Sequence, residues 1–412
     1  MARTFAWRSA AAAALVAAAI AACGEEVTAP GHCPELCPSD SLQVVDTVIT
    51  GVVVFDTTVR GFTNLRFSPI LVVADQDSLK ARPIIRFQPL PQRWFPTADT
   101  AGVPIGTIDS IDVYLRLDAR DTLAGNLRFL IYRLPALLDS TATFASTQAY
   151  FADSTYIDSI RVDSTTRVAN LHLVLRDSSL TDKPLIAKLT PQAADSFVLS
   201  LGIGLRADSH TVAVLASGET AVFPSLKYYV HALADTFSTT FTVIPTFDTW
   251  VSSPDVAPVP AQTIVVGNQP SARAFMRFQV PSYYVDSTTI LRATLQLVPT
   301  RAVRGFPNAT FGLEALPVLR YFGGKSLLIG DTVVTGYGTA TVGSSDTVSL
   351  EMGGILRLWR GVSADSLPRF VTLRTANESF EIGQIDFAGS AAGANAPRLL
   401  VSFVRPFKFG VP

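Results

Sequence analysis

Charge is scarce in this chain. Asp, Glu, Lys and Arg make up 16% of its 412 residues, against roughly 25% in an average soluble protein. The 33 basic and 34 acidic residues nearly cancel, leaving a net charge of −1. No basic stripe appears, so the attraction to phosphate that nucleic-acid binding rests on is missing, and nucleic acid is excluded as a partner. There are 4 histidines, 3 cysteines and 3 methionines, and no Gly-x-Ser-x-Gly turn. A nucleophile-base-acid constellation therefore has few candidates, and the chain is read as non-enzymatic. The 26 prolines are spread too evenly for long helices. What is abundant is Ser, Thr and Asp set beside Val, Ile, Leu and Phe, with a hydrophobic fraction of 48% that is ample for two or three cores.

Arg3 and Arg8 precede an apolar, alanine-rich run from Ser9 to Ala22, shorter than the roughly 20 residues a membrane-spanning helix needs. Residues 1–22 read as a signal peptide. The run ends Ile20-Ala21-Ala22-Cys23, which resembles a bacterial lipobox. The resemblance implies acylation of Cys23, anchorage to a membrane and a place in the cell envelope. Gly24, rather than Asp, after the cysteine favours the outer membrane. Residues 23–43, with Pro30, Pro34 and Pro38 among polar residues, read as a tether. Within it, Cys33 and Cys37 beside His32 suit a small disulfide loop, free thiols or part of a metal site.

The remainder contains one pattern twice. Phe55-Asp56-Thr57-Thr58-Val59 is matched by Phe247-Asp248-Thr249-Trp250-Val251, and Arg82-Pro83-Ile84-Ile85-Arg86-Phe87-Gln88 by Arg273-Ala274-Phe275-Met276-Arg277-Phe278-Gln279. Val113 to Leu117 then matches Ala293 to Leu297, Phe197 matches Phe370, and Pro224-Ser225-Leu226 matches Pro397-Arg398-Leu399. The offset shrinks along the series, as two copies of one domain give when the first has longer loops around Trp94 and between Asp139 and Thr166. Within each copy apolar residues alternate with polar ones, the period of a strand with one dry face. The expectation is an all-β chain of two tandem antiparallel jelly-roll sandwiches, 44–231 and 232–404, with a C-terminal tail at 405–412. Short helical turns are expected near 183–194 and 352–361.

The second copy resembles the DNRLRE-type domain of secreted bacterial proteins, a jelly-roll module related to carbohydrate-binding modules. The likeness is carried by Asp248-Thr249-Trp250-Val251, by Arg273 to Phe278 with Leu291 to Leu295, by Ile355 to Trp359 before Phe370 to Leu373, and by Ala396 to Val401. It implies a β-sandwich and a carbohydrate-binding role. The first copy departs from it, with Thr58 where the second has Trp250.

Sugar recognition uses an aromatic face stacked on a pyranose. Trp94 and Phe95 in the longer first-copy loop, and Tyr283 and Tyr284 in the matching loop of the second, are the candidate ligand-binding residues. Trp250 and Trp359 lie in strand-like runs and are read as core, and His172 and His210 as sheet residues. Asp75 and Asp77 offer hard oxygens of the kind a structural calcium takes, against the simpler reading of turn capping. The expected role is non-catalytic polysaccharide binding by a lipid-anchored surface protein. A structural or adhesion subunit that meets another surface protein is the alternative, and a polysaccharide-acting enzyme ranks third.

Overall fold

The computed structural model describes residues 43–405 apart from 63–66, 78, 96–100, 137, 177–197, 233–237, 254–258, 269–270, 331–334 and 379. The signal peptide, Cys23, Cys33, Cys37, the helical turn expected near 183–194 and almost all of the tail lie outside the described residues. The structure is mostly β, in curled antiparallel sheets with little helix. Its first part holds β1 (Val44–Ile49), β2 (Val53–Arg60), β3 (Ile70–Asp75), β4 (Lys80–Phe87), β5 (Arg93–Trp94), β6 (Val103–Arg120) and β7 (Arg128–Leu134). A four-residue helix α1 (Phe144–Thr147) precedes β8 (Tyr156–Arg161), β9 (Ala169–Arg176), β10 (Ser200–Arg206), β11 (Thr211–Ala216) and β12 (Ser225–Ala232). Then come β13 (Ser238–Val243), β14 (Pro245–Ser253), β15 (Thr263–Asn268), β16 (Ser271–Phe278), β17 (Thr289–Leu297), β18 (Arg304–Gly305) and β19 (Thr310–Tyr321). The last elements are β20 (Leu327–Ile329), β21 (Gly336–Thr341), β22 (Val348–Glu351), α2 (Gly353–Leu358), β23 (Phe370–Thr375), β24 (Gly383–Ala388) and β25 (Arg398–Val404). The helix α2 falls where a turn near 352–361 is expected.

These strands curl into two antiparallel sandwiches, each around its own core. Alternation sends Ile85, Phe87, Val113, Leu115 and Leu117 into the first core, and Ala274, Met276, Phe278, Ala293 and Leu295 into the second. Trp250 and Trp359 are both buried in these cores; Trp250 lies in β14, but Trp359 caps the C-terminus of α2 rather than lying in a strand. Each large side chain so placed contributes about 1.5–3 kcal/mol through removal from water. The sandwiches also touch, because Ile382 of the second enters the first core and Phe306 packs beside it.

The ladders do not stay inside the two sequence copies. β12 and β13 are consecutive and pair as a hairpin, with Leu226 opposite Val243. β14 follows at once and lies on β4, Trp250 opposite Pro83 and Asp248 opposite Ile85. The opening strands of the second copy therefore complete the first sandwich. The opening strands of the first copy do the reverse: β1 pairs with β25, Ile49 opposite Leu399, and β2 with β16, Thr58 opposite Ala274 and Asp56 opposite Met276. The two exchanged ladders have the same register. Phe247 faces Arg86 as Phe55 faces Arg277, and each ladder slips at the same place, between Pro245 and Phe247 or between Arg277 and Phe278. Local hairpin closure between β12 and β13 explains the exchange, since it costs little chain entropy and leaves β16 and β25 open for residues 44–60. The sandwiches thus consist of β3–β14 and of β15–β25 with β1–β2, crossing the boundary expected at 231 and 232.

The same ladders correct two steps of the repeat alignment. Leu226 faces Val113 and its counterpart Leu399 faces Leu295, so Val113 corresponds to Leu295 rather than to Ala293. Arg86 faces Ser200 in the first sandwich and Arg277 faces Phe370 in the second, so Phe370 corresponds to Ser200 rather than to Phe197.

Both exchanged strands carry an aspartate that caps a turn of the host sandwich. Asp248 accepts from Gly218 N at 2.5 Å after β11, and Asp56 accepts from Ser390 N after β24. Burial, opposed by the Gly218 amide and reinforced by Glu219, pushes the Asp248 carboxyl up to about 7. Its neutral form is thus favoured in the folded state. The benefit is complete below the unfolded value near 4 and is lost as pH rises through 7. Asp248→Asn keeps an acceptor for Gly218 and removes the titration. The variant is expected to gain stability over the parent at pH 8, by up to about 4 kcal/mol, and to lose that gain at pH 4. Chemical denaturation at the two pH values measures it, and an equal difference at both would contradict the assignment.

Candidate functional site

The strand exchange places equivalent residues on the outer faces of the two sandwiches, away from the cores. In the first, Ile84, Leu134, Phe247 and Val251 form an outer apolar cluster. In the second the corresponding residues, by ladder register, are Phe275, Val318, Phe55 and Val59. The two faces differ in what lies on them.

On the first sandwich, the chain between β7 and β8 folds over the cluster. Leu138, Ala142, Phe144, Tyr150 and Phe151 pack on it. This cover is locally well specified: Thr143 and Ser146 form a reciprocal cap at the start of α1. Asp139 Oδ1 accepts from Thr141 N at 2.8 Å. The Arg82 guanidinium lies over Phe144 at 4.5 Å and Phe151 at 4.6 Å, and its Nη1 donates to Gln148 Oε1 at 3.1 Å. Gly202 makes room, since a Cβ there would meet the Phe151 ring at 2.8 Å. Loop growth between Asp139 and Thr166, read from the repeat, includes part of this cover.

The second sandwich lacks a cover of that kind among the described residues. Instead a row of rings crosses β2, β16, β23 and β19. Phe55 lies 6.0 Å from Phe370, which stacks on Tyr321 at 5.1 Å and 22°. Tyr321 lies 6.5 Å from Phe275, and Phe275 6.2 Å from Phe62. Phe275 and Phe370 are buried and hold the row in place. Phe55 is 40% exposed and Tyr321 39%, whereas Phe247, the counterpart of Phe55, is only 5% exposed. Arg277 lies over Phe55 at 5.8 Å, and Arg273 over Phe62 at 4.2 Å. Arg273 is fixed by Glu378, which accepts from its Nε at 2.7 Å and its Nη2 at 2.5 Å. The result is an open aromatic platform edged by guanidinium groups.

The aromatic pairs expected from sequence lie elsewhere. Trp94 is half-buried in β5, opposite Val103. Phe95 is 62% exposed and rests on Gly102, whose added Cβ would sit 2.6 Å from its ring. It lines a wide hollow of about 680 Å³ with Gln88, Pro89, Leu90 and Arg93. Tyr283 and Tyr284 occupy a π-helical turn and fold back on the second sandwich, each edge-on to Phe403, at 6.2 and 5.4 Å. The two pairs sit on different sandwiches.

Asp75 lies 3.9 Å from Lys80, and Asp77 3.5 Å from His210. Among the described residues no group of three or more His, Cys, Asp or Glu side chains could hold a metal. His172 sits in β9, stacked on Tyr114 at 4.7 Å with Nε2 3.1 Å from Asp112 Oδ2. His210 belongs to the turn between β10 and β11 rather than to a strand, because the chain reverses there over 207–210. The signals for the platform residues were present but spread out. Phe55 appeared as half of a repeat match, and only the ladders show that it faces β16 and β23.

The platform predicts an asymmetry in stability. Phe247→Ala, under its cover, is expected to cost about 3–5 kcal/mol, and Phe55→Ala, on the open face, less than about 1.5 kcal/mol. Urea denaturation of both variants reads the difference, and equal losses would show that Phe55 is as covered as its counterpart.

No family model matches the chain, and no curated protein does. Among solved structures the chain is similar to that of Macrobrachium rosenbergii nodavirus, with 10% identity over 90% of this chain and 93% of that one. The TM-score is 0.17, and the likeness carries no argument.

Proposed function

We propose that this chain is a lipid-anchored, non-catalytic protein of the cell envelope that binds polysaccharide on the outer face of its second sandwich. The observation that supports this is the aromatic platform from Phe55 to Phe62, with Phe55 and Tyr321 open to solvent above buried supporting rings. The C–H face of a pyranose stacks on such rings, and Arg277 at the edge offers donors for its hydroxyls. Lipidation at Cys23, the outer-membrane location and the DNRLRE likeness are parts of the same proposal, resting on the sequence. So is the absence of a catalytic role; a structural calcium is not part of it.

A second reading has its own observation. The equivalent face of the first sandwich is covered by a protein segment, Leu138 to Phe151. This favours a protein partner on the second face, as an adhesion or structural subunit would have.

A glycan array probed with the protein and with its Phe55→Ala, Tyr321→Ala variant tests the proposal. Binding to a defined glycan is expected, with a loss of about tenfold or more in the variant. A Trp94→Ala, Tyr283→Ala variant is expected to bind as the parent does. A blank array from folded protein would overturn the glycan reading in favour of the protein partner, and binding indifferent to Phe55 and Tyr321 would move the site off this face.

A further inference from the structure

Three arginines of the second sandwich gather around one buried carboxylate. Arg60 ends the exchanged strand β2, Arg301 precedes β18 and Arg304 begins it, while Asp386 lies in the middle of β24. Asp386 is almost fully buried. Arg301 forms an ion pair with it, Arg304 Nη2 lies 3.7 Å from its Oδ1, and Gln384 Nε2 donates to the same oxygen at 2.6 Å. Asp386 is also the carboxylate that acts on Arg60.

The charges do not balance, since three guanidinium groups face one carboxylate. The hydrogen bonds do not balance either. Both terminal nitrogens of Arg60, and Nε and Nη2 of Arg304, are buried without a hydrogen bond among the described residues, Arg304 Nη2 being only in ion-pair range of Asp386. Burial, together with repulsion from Arg301 and Arg60, holds the Arg304 guanidinium below its ordinary range. A buried charged donor left unpaired is strongly unfavourable, and guanidinium forks match the oxygens of a planar or tetrahedral oxyanion. Among the described residues the first sandwich has no counterpart of the Arg60 and Asp386 pair. At the positions of Arg60 and Asp386 the first has Ser252 and Val214, by the registers of β14 on β4 and β11 on β3.

We propose that Arg60, Arg301 and Arg304 form a binding site for an oxyanion, a sulfate or carboxylate group, which pins the exchanged strand β2 to the segment around β18. The group is either a free inorganic anion or a substituent of an acidic saccharide. This site is separate from the aromatic platform and does not depend on the glycan reading.

The test is thermal unfolding of the full chain in sodium sulfate against sodium chloride at equal ionic strength. Sulfate is expected to raise the midpoint saturably by about 3 °C or more beyond chloride. The rise is expected to be at least halved in Arg60→Gln and abolished in Arg60→Gln, Arg304→Gln. Arg301→Gln, at an exposed position, provides a third variant if the double one does not fold, and is expected to weaken sulfate binding at least threefold by calorimetry. A parallel titration with an oligouronate, against a neutral oligosaccharide of equal length, separates the sources. Displacement of sulfate by the oligouronate assigns the site to a saccharide-borne group, and sulfate binding without displacement to a free anion. No difference between sulfate and chloride, or an undiminished response in the arginine variants, would overturn the proposal. Neutral-glycan binding that survives in those variants would leave the platform intact while this site failed.

Discussion

A strand inside a sandwich needs hydrogen-bonding neighbours on both edges, and in this chain β16 and β25 obtain one of theirs from the far end of the sequence. β1 and β2 close the second sandwich across nearly the whole chain, while β13 and β14 close the first. The rest of the architecture follows. Trp250 belongs to the second sequence copy and fills the first core. Thr58 takes the equivalent place in the second sandwich, where its Oγ1 accepts from Val265 N at 2.8 Å. The two sequence copies are joined by backbone ladders, because each copy begins in the other's sheet, while the two sandwiches meet through side-chain contact at Ile382 and Phe306. Such an arrangement couples the order of residues 44–60 to the integrity of a domain whose other strands begin at β15.

Much of the fold was legible. Alternation at Ile85, Phe87, Val113, Leu115 and Leu295 identified strands with one dry face, and each of these residues is buried. The repeat found the second copy because Arg82-x-x-x-Arg86-Phe87 and Arg273-x-x-x-Arg277-Phe278 serve the same purpose twice, placing guanidinium groups outside and the phenyl ring inside. The exchange was not legible. Phe55-Asp56-Thr57 and Phe247-Asp248-Thr249 are nearly the same strand, so either fits either partner, and pairing is decided by chain connectivity rather than by residue type. The slip at Phe197 has a similar origin, since a strand's pattern constrains its face more strongly than its register.

Less of the candidate site was legible. A sequence reading ranks aromatics by their setting in loops, which favoured Trp94, Phe95, Tyr283 and Tyr284. Tyr283 and Tyr284 lean on Phe403, and Tyr283 keeps 44% of its surface exposed. The platform is built from strand residues that would be called core by periodicity. Phe55 and Tyr321 are exposed because the second sandwich lacks, among the described residues, the Leu138–Phe151 cover of the first. Arg60, Arg301 and Arg304 were invisible for a different reason. Two lie close together in sequence, but Arg60 arrives by strand exchange, and no local pattern announces it.

The central claim is that the exchange occurs within one chain, and a disulfide between β1 and β25 tests it most directly. Asp46 and Ser402 face each other in the ladder, with Ser402 Oγ donating to Asp46 Oδ1. Opposed residues of an antiparallel pair have Cα atoms about 4.5–5.5 Å apart, within the range a disulfide bridges. With Cys23, Cys33 and Cys37 replaced by serine, the Asp46→Cys, Ser402→Cys protein is expected to oxidise to a compact monomer. It should run faster than its reduced form on a denaturing gel and unfold at a higher temperature. Free thiols in the folded protein, or bridging only between two molecules, would contradict the account.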